Sequence, residues 1–313
     1  MGTPAFALGP LRALLDADFI DILLVVTRPD AVSGRGKKLV PSPVKALAAE
    51  QGLPVLETKT LRTSEVQAIL AEQKADVFCV AAYGAILPPE VLTMAPLGCL
   101  NVHASLLPAG RGAAPMQRSL LEGEPSLGFS IMQIEEGLDT GPYCLQGSVE
   151  AGERTYDEVS AELSELGGAA LVEVLRTYAC GEEPVWVAQD DARATHAAKL
   201  EKRDVLLDPA SSAVVNRCRV QASSDAAPAR CSIAGRPVRV VKAHVLGDDE
   251  RAALRVDPLA CGAVGIVQRR LLLGCADGSV LEALEIKPDG KRAMEAAAFA
   301  AGIHATDATW EAL

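Results

Sequence analysis

Two short stretches of this 313-residue chain carry residue types that can do chemistry together. Asn101 and His103 stand two apart at the end of an apolar segment, and Asp139 sits in the turn Gly137-Leu138-Asp139-Thr140-Gly141. If Cys99–His103 is a strand, residues two apart share a face. In an open parallel sheet the carboxyl ends of strands line the ligand crevice, so the carboxamide and the imidazole point into one cleft. An amine attacking a carbonyl carbon generates a tetrahedral oxyanion, which Asn101 and a protonated His103 can stabilise by donating hydrogen bonds. The imidazole can also carry a proton from the nucleophile to the leaving nitrogen, with Asp139 orienting it. The amine is itself a nucleophile, so this acyl transfer needs no covalent enzyme intermediate. Ser105-Leu106-Leu107-Pro108 follows directly and suits a flat aromatic ligand. Arg111-Gly112-Ala113-Ala114-Pro115 then opens a helix, with the proline in its first turn.

Singly these residues mean little. A lone histidine at a strand end is usually structural, and an aspartate between glycines usually just forms a turn. The combination carries the reading, and it requires a scaffold. Apolar or β-branched runs predict strands at Ile22–Val26, Val55–Glu57, Val77–Ala82, Cys99–His103, Gly128–Ile134 and Tyr143–Val149. Helices are expected over Pro41–Gln51, Thr63–Gln73 and Thr155–Tyr178. This alternation predicts an α/β fold: a mostly parallel sheet with helices on both faces, over residues 1–180. Residues 181–202 have mixed charge and no clear strand, and are expected to be a linker. From 203 to 313 short β-rich runs (Arg236–Ala243, Ala263–Val267, Leu271–Cys275 and Val280–Ile286) suggest a small barrel or sandwich. The alanine-rich stretch 293–301 looks helical.

Bulk composition excludes several classes. No apolar run reaches the ~18 residues of a membrane span, and the N-terminus has no basic-then-apolar signal pattern. The eight cysteines form no C-x-x-C pair and the four histidines show no metal spacing. Reduced, buried thiols in a cytoplasmic protein without a metal are therefore expected. The net charge of −11 argues against a surface coated for nucleic acid. The charge is uneven: residues 194–313 hold 16 Lys and Arg against 15 Asp and Glu. A polyanionic partner would have to be met by local basic clusters. No G-x-G-x-x-G or Walker loop is present, which speaks against a nucleotide-cofactor oxidoreductase.

Asn101-Val102-His103-Ala104-Ser105-Leu106-Leu107-Pro108 and Leu138-Asp139-Thr140-Gly141 resemble the hallmark of folate-dependent formyltransferases. Over nearly its whole length the chain resembles the methionyl-tRNA formyltransferases. That resemblance implies a Rossmann-like catalytic domain and a barrel-like, OB-like C-terminal domain that helps grip tRNA. It implies 10-formyltetrahydrofolate as the formyl donor, lying against Ser105, Leu106, Leu107 and Pro108. It implies Asn101, His103 and Asp139 as catalytic residues, and the methionine amino group of initiator methionyl-tRNA as acceptor. Gly2-Thr3-Pro4 is similar to the family's turn after its first strand. Ser33-Gly34-Arg35-Gly36-Lys37-Lys38-Leu39 is similar to its loop on the tRNA acceptor stem. Arg35, Lys37 and Lys38 would supply three cations for phosphates or base edges. A monomer is expected.

Three departures stand out. The family has an apolar strand before its Gly-Thr-Pro turn; here Met1 precedes the turn directly, so one central strand is expected to be lacking. Gly110 stands where the family often has an aromatic residue, and residues 220–232 lack its tryptophan- and proline-rich character. The alternatives are a formyltransferase acting on glycinamide ribonucleotide or an amino sugar, and a non-catalytic RNA-binding protein on the same scaffold.

Overall fold

A computed structural model describes residues 1–33, 38–256, 258–305 and 307–313. The chain forms two compact units. One comprises Met1–Pro115, Leu127–Val149 and Ser160–Ala197; the other comprises Met116–Ser126, Glu150–Val159 and Ala198–Leu313.

In the first unit, Phe78–Val80 pairs in parallel with Cys99–His103. Cys99–His103 in turn pairs antiparallel with Ser126–Gln133, and Tyr143–Glu150 completes a four-stranded sheet. Val25–Thr27 and Val55–Glu57 form a separate parallel pair. Helices Leu8–Asp16, Pro43–Glu50, Ser64–Glu72 and Tyr156–Ala179 complete a Rossmann-like α/β arrangement. Two strands are shorter than their apolar runs, Ile22–Val26 yielding Val25–Thr27 and Val77–Ala82 yielding Phe78–Val80, while Cys99–His103 and Val55–Glu57 match theirs.

No strand lies between these two sheets among the described residues. Met1 and Gly2 occupy the head of the gap: Gly2 N donates to Val26 O at 3.0 Å, and Met1 O accepts from Ala81 N at 3.0 Å. The Met1 ammonium is buried and donates to Cys79 O at 2.6 Å, and that burial lowers its pKa. Below it runs a cavity of about 670 Å³ between the strands, lined by Leu11, Leu14, Val25, Phe78, Leu171 and Leu175 among others.

Helix Leu8–Asp16 was hidden from periodicity by Gly9 and Pro10. Gly9 is there for close approach. A Cβ on it would fall 2.4 Å from the Ser164 backbone, and one on Gly168 would fall 2.7 Å from Gly9 O. Ser164 Oγ accepts from Gly9 N at 3.0 Å and donates to Phe6 O at 2.6 Å, so the two helices touch through backbone.

The second unit is an antiparallel sheet. Its order is Val264–Val267, Arg270–Gly274, Val280–Pro288, Arg236–Val245, Arg230–Ile233 and Trp310–Glu311, with Met294–Glu295 added to Val280–Pro288. A bridge between Ala263 and Thr309 joins the two ends, with Trp310 N donating to Gly262 O, so the sheet is a nearly closed barrel. Trp310, Ile233, Val240, Leu273 and Leu281 fill its interior. The alanine-rich stretch becomes Met294–Glu295 followed by a short helix, Ala296–Ala300. Helices Ala213–Ala222 and Asp248–Leu254 escaped the sequence reading.

All eight cysteines are free thiols. Cys99, Cys218, Cys231 and Cys275 are buried, and burial pushes Cys99 and Cys231 up to about 12. Cys180 and Cys261 are exposed, against the expectation of buried thiols, because both lie in loops. Among the described residues no helix is long and apolar enough to cross a membrane, and no cluster of three or more His, Cys, Asp or Glu could hold a metal.

In the second unit His244 lies between Glu153 and Glu250, and across the strand pair from Glu282, which Arg270 neutralises. Burial alone would lower the His244 pKa, but the hydrogen bonds to Glu250 and Glu153 outweigh it and raise the value above 6.5. A raised folded-state value stabilises fully below the unfolded pKa and loses its contribution as pH rises through the folded one. A His244→Gln variant should therefore melt below the native protein at pH below 6.5, with the gap narrowing as pH rises above it. Thermal unfolding across that range checks it; a gap independent of pH would contradict it.

Candidate functional site

Strand Cys99–His103 delivers Asn101 and His103 to one face, as alternation requires. Its antiparallel partner places Ser130 directly opposite His103 and Met132 opposite Asn101. The His103 ring is almost fully buried. Its Nε2 lies 3.0 Å from Gly110 O, and its Nδ1 faces Asp139 Oδ1 at 3.7 Å. A carbonyl only accepts, so Nε2 carries the proton in the neutral ring. Nδ1 then turns its lone pair toward Asp139, too far off for a direct hydrogen bond.

Asp139 has φ +53° at the tip of its turn. Its Oδ2 accepts from Gly112 N at 2.8 Å. Gly110 and Gly112 therefore hold the imidazole and the carboxylate from one short segment. Both residues must be glycine. Their φ values are +72° and +118°, and a Cβ would fall 2.9 Å from Ser105 Cβ at Gly110 and 2.8 Å from Ala197 O at Gly112. The departure at Gly110 thus has a local cause: its conformation and the Ser105 side chain exclude anything larger.

Ser105–Pro108 leaves the strand end directly, with a cis bond between Leu107 and Pro108. Its shape is set by Ser130, whose hydroxyl is fully buried and saturated. The hydroxyl donates to Ser105 O at 2.6 Å and accepts from Leu107 N at 3.0 Å and Gln146 Nε2 at 2.8 Å. Gln146 also donates to Leu107 O, and Ser105 Oγ donates to Ala109 O. Leu107 is buried, while Leu106 and, beside Asp139, Leu138 keep apolar surface exposed. Asn101 is half-buried and its amide has no hydrogen-bond partner among the described residues.

His103 and Asp139 are thus brought together, Asn101 shares the strand face of His103, and Ser105–Pro108 adjoins them. Arg35 and Lys37 lie outside the described residues. Lys38 is described only as backbone, paired with Ser33 in a hairpin of Ala31–Ser33 and Lys38–Val40.

The sequence matches the formyl transferase family over residues 3–175 and the family's C-terminal domain over residues 199–304. The chain belongs to the formyl transferase family. Solved structures similar to it include HypX from Aquifex aeolicus in complex with tetrahydrofolic acid, which is 15% identical with a TM-score of 0.58, covering 88% of this chain and 46% of that one. This chain spans about half the length of the HypX chains it matches. WlaRD, a sugar 3N-formyl transferase in the presence of dTDP and 5-N-formyl-THF, is 12% identical with a TM-score of 0.62, covering 93% and 97%. Methionyl-tRNA formyltransferase from Clostridium thermocellum is 16% identical with a TM-score of 0.53, covering 71% and 93%. At such identities the likeness is one of fold.

In this site, Ser130, Gln146 and Gln189 are residues that sequence reasoning missed. Nothing in their spacing marks them, although Ser130 interrupts an otherwise apolar strand, which is a usable signal. Ser130→Ala strands the Leu107 N–H and the Gln146 amide in a buried place. It should cost about 1–3 kcal/mol and lower the Tm by several degrees. An unchanged melting curve would show that the loop is held by other means.

Proposed function

We propose that this protein transfers a formyl group from 10-formyltetrahydrofolate to the amino group of methionine on initiator methionyl-tRNA. The observation that carries the reading is the 3.7 Å separation of His103 Nδ1 and Asp139 Oδ1 beside the Ser105–Pro108 loop. Two acceptors at that spacing can be bridged by one nitrogen about 2.9 Å from each, an ordinary hydrogen-bond length. An attacking amine fits this position, with one N–H on each acceptor and its lone pair aimed at the formyl carbon.

Attack forms the C–N bond and turns the formyl oxygen into an oxyanion, for which the Asn101 carboxamide is the available donor. The amine proton passes to His103 Nδ1. The resulting imidazolium is held on both sides, by Gly110 O and by the Asp139 carboxylate. Collapse breaks the bond from carbon to the folate nitrogen, which takes that proton back from His103. The pterin-type ring would lie along Ser105, Leu106, Leu107 and Pro108, where exposed apolar surface meets fixed backbone groups. Arg35, Lys37 and Lys38 would meet the tRNA phosphates, and the C-terminal barrel would add to that grip. Support for the tRNA as acceptor comes from this basic segment together with a C-terminal domain of the family.

The test supplies 10-formyltetrahydrofolate with methionyl-tRNA, glycinamide ribonucleotide or a nucleotide-linked amino sugar in turn. Formylation of methionyl-tRNA is expected; preference for either small acceptor would overturn the choice of acceptor while leaving the transfer chemistry intact. His103→Ala should lower turnover about 10²–10⁴-fold with little change in tRNA affinity, and normal turnover would rule out its role. Arg35→Ala should impair formylation of charged initiator tRNA; unimpaired formylation would remove the loop from the account.

A further inference from the structure

The segment from Val187 to Ala197, with little regular structure of its own, is bonded to both halves of the site. Val187 and Tyr143 exchange backbone hydrogen bonds at 3.1 and 2.8 Å. Gln189 Nε2 donates to Asp139 O at 2.8 Å and to Gly141 O at 2.6 Å. Its Oε1 accepts from Arg111 Nε at 2.9 Å, and Arg111 Nη2 also bonds Asp191 at 2.8 Å. Further on, Thr195 Oγ1 accepts from Gly110 N at 2.8 Å and Thr195 O accepts from Arg111 N at 2.9 Å. His196–Ala197 then pairs in parallel with Arg111–Gly112. One strap therefore fixes the turn that carries Asp139 and the Gly110–Gly112 segment that holds His103 and the Asp139 carboxylate.

Gln189 is the centre of this strap because its whole amide is used: both N–H groups go to the Asp139 turn and the oxygen to Arg111. Asp139 has no helix or strand of its own to fix it, and a left-handed φ on a non-glycine residue persists only when neighbours enforce it. We propose that Gln189 is a positioning residue for formyl transfer: it sets the Asp139 carboxylate opposite His103, and so governs turnover without touching either substrate. This rests on the reading of His103 and Asp139 as the transfer machinery.

The experiment measures formyl transfer by the full-length native chain, Gln189→Ala, Gln189→Met and Asp139→Asn, and by Gln189→Met combined with Asp139→Asn. Gln189→Met keeps the length of the side chain and removes its hydrogen bonds, so it serves if Gln189→Ala does not fold. Misplacing a catalytic group by about 1 Å costs on the order of 10²-fold. Turnover of the Gln189 variants should fall by about that factor, with KM for 10-formyltetrahydrofolate within about twofold of native. In the Asp139→Asn background Gln189→Met should add little, since groups acting as one unit are not additive. Gln189→Glu replaces two donors with a carboxylate facing two carbonyls, so its activity should fall further as pH rises and the side chain ionises. Folded Gln189 variants with native turnover, or a loss that multiplies with that of Asp139→Asn, would overturn the inference. An inactive native chain, or a fully active Asp139→Asn, would instead overturn the reading on which it rests.

Discussion

The site depends on two hydrogen bonds made by a backbone segment of three residues. The Gly110 carbonyl faces His103 Nε2, and the Gly112 N–H faces Asp139 Oδ2. The first bond fixes the neutral tautomer and leaves Nδ1 open. The second turns the carboxylate so that its other oxygen faces that nitrogen. Neither residue tolerates a Cβ, so the geometry is written into two glycines rather than into side chains that could be exchanged. Backbone groups suit this task because they carry no rotamer freedom to lose.

Everything else in the first unit places that segment against a strand end. The strand pair Phe78–Val80 and Cys99–His103 supplies a carboxyl edge, and Ser126–Gln133 supplies Ser130 to shape the Ser105–Pro108 loop. The strap up to Ala197 closes over the Asp139 turn. The half bearing the site is tied by its own ladder, and the other half meets it through Met1 and Gly2. The barrel is a separate unit with its own core around Trp310.

Much of this was legible in the sequence because chemistry and periodicity leave marks. Asn101 and His103 are of types scarce in this chain, Asp139 stands between Gly137 and Gly141, and Cys99–His103 and Val55–Glu57 follow their apolar runs to the residue. Helix Leu8–Asp16 left no mark: its glycine and proline answer to the close crossing at Ser164 and Gly168, which lies far off in sequence. Helix Ala213–Ala222 was obscured because it buries Asn216 and Gln221 alongside apolar residues, which breaks the amphipathic pattern. Ser130, Gln146 and Gln189 act through hydrogen bonds to backbone atoms 23 to 50 residues away, and no local pattern encodes such partners.

The most direct measurement is the ¹⁵N NMR spectrum of the His103 ring as it is titrated to its neutral form. The account predicts the Nε2–H tautomer, hydrogen-bonded to a carbonyl, with Nδ1 unprotonated until an amine or proton arrives. A neutral ring carrying its proton on Nδ1 would contradict it, because no lone pair would then face Asp139 to receive the proton that the reaction releases.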